Sequence, residues 1–356
     1  MTALEDKIIA EFKDGKASVE RTLLAISGLE TEEEIFSYQR KLDFIQEDFE
    51  KSCPKRAGDY QTAELLFDYL WRTKPNRYNG DFLLTEVIDN QFDENKKKGV
   101  GDCVGLTSLY TVLGQRLGLN LSVLLSTNHI LNLLFCNQEI VVENNNIRGF
   151  DSEFESGYKK TDLIGLVASV INNKGHVKQR LGDLKCALRD YNRAIELEPD
   201  FASAFNNRGV VKEDSGDYEG ALRDYNRAIE LEPDFASAFN NRGVVKEDSG
   251  DYEGALRDYN RAIELKPDYA NAFNNRGIVK DNSGDYEGAL RDYNRAIELK
   301  PDYANAFNNR GIVKDNSGDY EGALRDYNRA IELKPDFATA FNNRELLLRQ
   351  MQGLPR

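Results

Sequence analysis

Apolar residues recur three and four positions apart in three early stretches: "ALEDKIIAEF" from Ala3, "EEEIFSYQRKLDFIQEDFEKS" from Glu32 and "YQTAELLFDYLW" from Tyr60. Each predicts an amphipathic helix. A fourth helix is predicted after Gly99, Val100, Gly101 and Asp102, with Leu106, Leu109, Tyr110, Leu113 and Leu117 on one face, Asp102 as its N-cap and Gly118 as its stop. The period then changes. "LNLSVLLS", "HILNLLF" and "EIVVEN" read as strands, and the short "CNQ" turn predicts an antiparallel hairpin from the last two. Two registers stay open: a hairpin centred on Cys136 sets His129 opposite Glu143, and a half-step shift sets it opposite Asn144. Helices covering a later sheet predict an α+β domain over residues 1–160.

From Val167 the chain repeats itself every 34 residues, giving five units and then a sixth first helix, "FATAFNNRELLLR". The copies beginning at Phe201 and Phe235 differ only where Glu232 becomes Lys266, and those at Tyr269 and Tyr303 are identical. In the second copy Gly209 and Ala221 lack bulk, so two helices can approach, while Phe205, Tyr218, Leu222 and Tyr225 are expected to fill the space around them. Ser215-Gly216-Asp217 supplies the turn, and Pro233 ends the second helix. Units of this kind cannot bury their faces alone and must stack.

With Phe205, Gly209, Gly216, Tyr218, Ala221, Tyr225, Ala228 and Pro233 in place, the unit resembles the tetratricopeptide repeat (TPR). The resemblance implies an all-α superhelical solenoid over residues 167–344 followed by a tail, 345–356. It also implies that the first helix of each unit lines a peptide-binding groove. The positions are Asn206, Val210, Glu213 and Asp214, then Asn240, Val244, Glu247 and Asp248, then Asn274 and Asp281, and Asn308 and Asp315. Family members that clamp a chaperone's C-terminal carboxylate do so with lysines that are missing here. The five units carry +1, −4, −2, −1 and −1, so a basic or neutral extended peptide is the expected partner. A plain solvated face is the alternative reading of these carboxylates.

The whole chain has a net charge of −14 and no basic stripe, which argues against nucleic acid as a partner. No apolar run approaches the roughly 20 residues of a membrane span. The first residues lack the features of a signal peptide, so a cytoplasmic protein without membrane contact is expected. Cys53, Cys103, Cys136 and Cys186 are scattered with no CxxC spacing and no histidine cluster, so neither a metal site, a cofactor nor a disulfide framework is called for. Cys53, Cys136 and Cys186 read as core thiols, His176 as a groove contact and Trp71 as a core residue.

Cys103 differs by its place. The first turn of a helix carries partial positive charge from unpaired amides, which favours a thiolate and can hold an oxyanion. The chain has only two histidines, and His129 follows shortly after this helix. "GDCVGLTSLYTVLGQRLGL", "NHILNLL" and "VVENNNIRGFDSEF" together resemble the transglutaminase-like superfamily over roughly residues 80–155. That resemblance implies a papain-like fold with Cys103 as nucleophile, His129 as general base, and Glu143 or Asn144 orienting the imidazole. Two functions stay open: a cysteine hydrolase or acyltransferase joined to a partner-recruiting array, or a non-catalytic interaction scaffold with an inactive relic of that domain. The first predicts a Cys103 pKa below that of a free thiol.

Overall fold

Four strands form one antiparallel sheet in the order β3-β2-β1-β4, built from β1 (Leu121–Leu125), β2 (Ile130–Phe135), β3 (Glu139–Val142) and β4 (Lys159–Thr161). The structure is a computed structural model that describes residues 3–53, 58–73, 81–93, 100–125, 129–136, 138–144, 150 and 158–352. Alternation along the strands sends Leu121, Val123, Leu125, Ile130, Leu134, Ile140 and Val142 into the main core. Leu124, Leu131, Leu133 and Val141 go to a second cluster on the other face.

The helices of this layer are α1 (Ala3–Lys13), α2 (Val19–Ile26), α3 (Glu32–Ser52), α4 (Asp59–Thr73), α5 (Leu84–Phe92) and α6 (Cys103–Arg116). Helix α3 starts on a capping box, with Thr31 Oγ1 accepting from the Glu34 amide and Glu34 accepting from the Thr31 amide. Helix α6 is the centre of the layer. Every residue from Val104 to Gly114 is buried, and the Tyr110 hydroxyl donates to the Ala63 carbonyl at 2.9 Å. An α+β layer was expected; α2, α5 and β4 were not.

The repeats follow as helix pairs: α7 (Leu163–Arg180) with α8 (Leu184–Leu197), α9 (Ala202–Asp214) with α10 (Tyr218–Leu231), α11 (Ala236–Asp248) with α12 (Tyr252–Leu265), α13 (Ala270–Asn282) with α14 (Tyr286–Leu299), and α15 (Ala304–Asn316) with α16 (Tyr320–Leu333). A last helix, α17 (Ala338–Met351), closes the series, so the stretch expected as a tail from residue 345 is helical to Met351. Among the described residues no strand follows Thr161, and the solenoid is all-α as expected.

Gly209 is required by close approach: a Cβ there would lie 2.6 Å from Tyr225 Cε1. Gly216 turns the chain at φ +82°, a conformation that side chains rarely adopt. Tyr225 is fully buried as expected, whereas Tyr218 is 49% exposed, because its place at the first position of α10 faces outward.

Packing divides the chain at a different point from the expected 160/167 boundary. One compact unit runs Met1–Asn207 and the other Arg208–Arg356. The physical reason lies in α7. Leu166, Val167, Ala168, Val170 and Ile171 belong to the same core as the sheet and α6, and so do Ala194, Leu197 and Phe201. Lys174 seals the contact, donating to both oxygens of buried Glu5 at 2.9 and 3.1 Å and to the Ile26 carbonyl at 3.0 Å. The first repeat is thus part of the α+β unit.

Candidate functional site

Two sets of side chains were singled out by the sequence. The first centres on α6, where Asp102 caps the helix by accepting from the Gly105 amide at 2.8 Å. The Asp102 amide donates to the Asp81 carbonyl at 2.7 Å. Gly105 lets that backbone approach, since a Cβ on it would meet Val87 Cγ2 at 2.6 Å and the Asp81 oxygen at 2.9 Å.

Cys103 therefore begins the helix as expected, but its chemistry runs the other way. Burial, and then the adjacent Asp102 carboxylate, push its thiol up to about 11, against the backbone amides of Ile130, Val104 and Cys103 itself. The helix terminus does favour thiolate, but desolvation outweighs it. Asp102 is pushed up to about 6, again chiefly by burial, so it carries a charge beside the thiol at neutral pH.

The hairpin register is neither of the two expected. Pairs Asn132↔Val142 and Phe135↔Glu139 centre the turn on Asn137, which lies outside the described residues. Glu143 nevertheless reaches the imidazole along the diagonal: His129 Nε2 and Glu143 Oε1 are 3.1 Å apart, both about a quarter exposed. The Tyr158 ring lies 6.4 Å from the imidazole centroid.

Asn144 is turned to the opposite face. Its amide donates to Asn132 Oδ1 at 2.7 Å, and Asn132 in turn donates to Thr111 Oγ1 at 2.7 Å, a chain of three buried polar groups that ties the hairpin to α6. Parts of the quoted motifs, Asn128, residues 145–149 and 151–154, lie outside the described residues.

The second set lies on the first helices of the repeats. Asn206, Asn240, Asn274 and Asn308 are only 3–7% exposed. Asn240 Oδ1 accepts from Asn275 at 3.2 Å, Asn274 from Asn309 at 3.1 Å and Asn308 from Asn343 at 3.0 Å. These asparagines hold successive repeats in register rather than presenting open amides. Val210 and Val244 pack against the Tyr225 and Tyr259 clusters.

Of the carboxylates, Asp214 and Asp248 are exposed, whereas Glu213, Glu247, Asp281 and Asp315 are half-buried. Glu213 accepts from the Tyr225 hydroxyl at 2.6 Å and Glu247 from Tyr259 at 2.8 Å. Burial holds both glutamates above the usual carboxylate range despite those bonds, and Asp248, one repeat away, adds repulsion at Glu213.

Sequence reading missed the charges inside each repeat. Buried Asp224 takes both Nε and Nη2 of Arg208, at 2.8 and 2.6 Å, and Lys212 at 2.7 Å. Asp258, Asp292 and Asp326 repeat the arrangement, and Arg242 Nη1 also reaches Asn226 of the preceding repeat at 2.7 Å. A signal was present, because Asp224 falls on the same stripe as Ala221 and Ala228, where only a buried and paired carboxylate fits.

The TPR repeat family model matches residues 175–216, 213–250, 248–280 and 282–314, and a tetratricopeptide repeat model matches 304–337. Residues 175–337 are a tetratricopeptide repeat array. Similar solved structures include YrrB, described as a TPR protein with an unusual peptide-binding site, at 26% identity over 50% of this chain and 92% of that one, TM-score 0.40. A tetratricopeptide repeat protein from Parabacteroides merdae is 23% identical over 52% of this chain and 73% of its own, TM-score 0.44. MamA from Desulfovibrio magneticus RS-1 is 20% identical over 48% and 97%, TM-score 0.41. No curated protein matches the chain. Among the described residues no helix is long and apolar enough to cross a membrane.

Proposed function

We propose that the chain is a protein-interaction scaffold whose TPR array takes an extended basic or neutral peptide along its first helices, with the first repeat anchored in the α+β unit. The observation that carries this reading is the run of carboxylates along the first helices, Glu213 and Asp214, then Glu247 and Asp248. Burial raises Glu213 and Glu247, and repulsion from Asp214 and Asp248 adds to it at Glu213. A folded-state pKa above the unfolded one means that ionisation opposes folding. The stabilising contribution is full below the unfolded value of about 4.3 and is lost as pH rises through the folded one. At neutral pH these glutamates work against the array, and a cationic ligand would relieve them.

Changing Glu213, Asp214, Glu247 and Asp248 together to their amides tests this in one variant. Its melting temperature at pH 7 should equal or exceed that of the parent, while its affinity for a Lys-rich extended peptide and the salt dependence of binding both fall. Unchanged peptide binding with raised stability assigns the carboxylates to a solvated face.

A second reading has its own observation, the His129–Glu143 hydrogen bond beside a helix that begins at Cys103. It assigns the transglutaminase-like resemblance a working site: Cys103 attacks an amide or ester, His129 transfers the proton, and Glu143 holds the ring. Thiol reactivity separates the two readings.

A further inference from the structure

Helix α8 carries a face that its four counterparts lack. In α10, α12, α14 and α16 the second residue is Glu219, Glu253, Glu287 or Glu321, and each approaches the arginine four positions on, at 3.8 to 4.0 Å. In α8 that residue is Lys185, so Arg189 faces a like charge in place of a carboxylate, an arrangement that weakens a helix. One turn further, Arg193 gives Nη1 to Glu196 at 2.9 Å, but its Nε is buried with no hydrogen-bond partner. Lys185, Arg189 and Arg193 line a cavity of about 550 Å³ together with Leu188, Glu196 and Asp6 of α1.

We infer that this cavity is a second binding site, of opposite sign to the carboxylate-lined helices of the array, and that it takes an extended acidic peptide segment. The spacing fits. Residues four apart on a helix rise by about 6 Å, and alternate side chains of an extended strand are about 6.7 Å apart. Three cations one turn apart thus match carboxylates at every second position of a strand. Leu188 offers the intervening apolar contact, and Asp6 can accept a backbone N–H of the strand. Asp6 and Glu196 also line the cavity, so the fit to an anionic strand rests on the register of the three cations with alternate carboxylates.

The test uses the full chain and a fluorescein-labelled, end-blocked peptide of alternating Asp and Ala, read by anisotropy at low salt. The parent should bind it. Lys185→Glu installs the residue that the other four copies carry at this place, so the helix should form normally, and binding should fall about tenfold or more as an attraction becomes a repulsion. Arg189→Gln should weaken binding in the same direction. The four amide changes at Glu213, Asp214, Glu247 and Asp248 should not weaken it. The inference is overturned if the parent does not bind, if Lys185→Glu and Arg189→Gln bind as the parent does, or if inorganic phosphate or a single-stranded DNA oligomer displaces the peptide at matched charge concentration. Loss of the Lys-peptide affinity of the array with this site intact would instead sink only the reading of the repeats.

Discussion

At the scale of single residues, the helix start at Cys103 shows desolvation winning over a local dipole. With the thiol pushed up to about 11, only roughly one molecule in a thousand carries a thiolate at pH 8. Iodoacetamide should therefore label Cys103 no faster than exposed model thiols at that pH, and the rate should climb only in strong alkali. Asp102→Asn keeps a good N-cap while removing the neighbouring charge. Labelling at pH 8 to 9 should accelerate in that variant, and the difference should disappear below pH 6, where the Asp102 carboxyl takes up its proton in the parent. Fast neutral-pH labelling that depends on His129 would reverse the balance toward the catalytic reading. Cys103 and His129 stood out in the sequence because one starts a helix after Gly-Asp and the other is one of two histidines. The partner of His129 was only half legible. Register depends on where the turn closes, and a centre on Asn137 makes Glu143 a diagonal neighbour rather than an opposite one. Desolvation was not legible, since it depends on what the rest of the chain packs around α6.

At the scale of elements, each repeat of the second unit is pinned by an ion cluster as well as by apolar contacts. Asp258 is 4% exposed and holds Arg242 and Lys246, so replacing it leaves two cations in a nearly closed site. Breaking a buried pair of this kind costs about 3–5 kcal/mol, and Asp258→Asn should lower the stability of the array by that order in urea unfolding. Arg257→Ala removes an exposed partner 3.8 Å from Glu253 and should change stability by less than about 0.5 kcal/mol. The 34-residue period made the helix pairs legible, and the 3.6-residue pattern did the same for α3, α4 and α6. Shorter elements escaped. Helix α2 has only eight residues, too few to show a helical period, and β4 has three, Lys159 to Thr161, polar enough to read as connection. Helix α5 does space Leu84, Val87 and Ile88 for one face, but its nine residues follow a stretch rich in turn formers. The buried aspartates read as surface charge in any pattern that sorts residues by type alone.

At the scale of the molecule, the sequence period and the packing disagree about where one folding unit ends. By period the first repeat belongs with the array, but its α7 is the outer wall of the α+β core. Leu166, Val167, Val170 and Ile171 are at most 1% exposed there, and Leu197 and Phe201 complete the same cluster. Each large apolar side chain buried contributes about 1.5–3 kcal/mol, so these six together reach the 5–15 kcal/mol that a domain has in total. Glu5, 1% exposed in the whole chain, would also lose the Lys174 ammonium that pairs with it. A fragment ending at residue 160 should therefore fail to fold, giving little cooperative melting by circular dichroism. A fragment ending at residue 216 retains α7, α8 and all of α9 and should melt cooperatively. Lys174→Met within that longer fragment should lower its melting temperature, whereas Lys174→Arg should preserve more of it by keeping a donor for Glu5. Cooperative folding of the shorter fragment would show that the repeat leans on a core already complete without it.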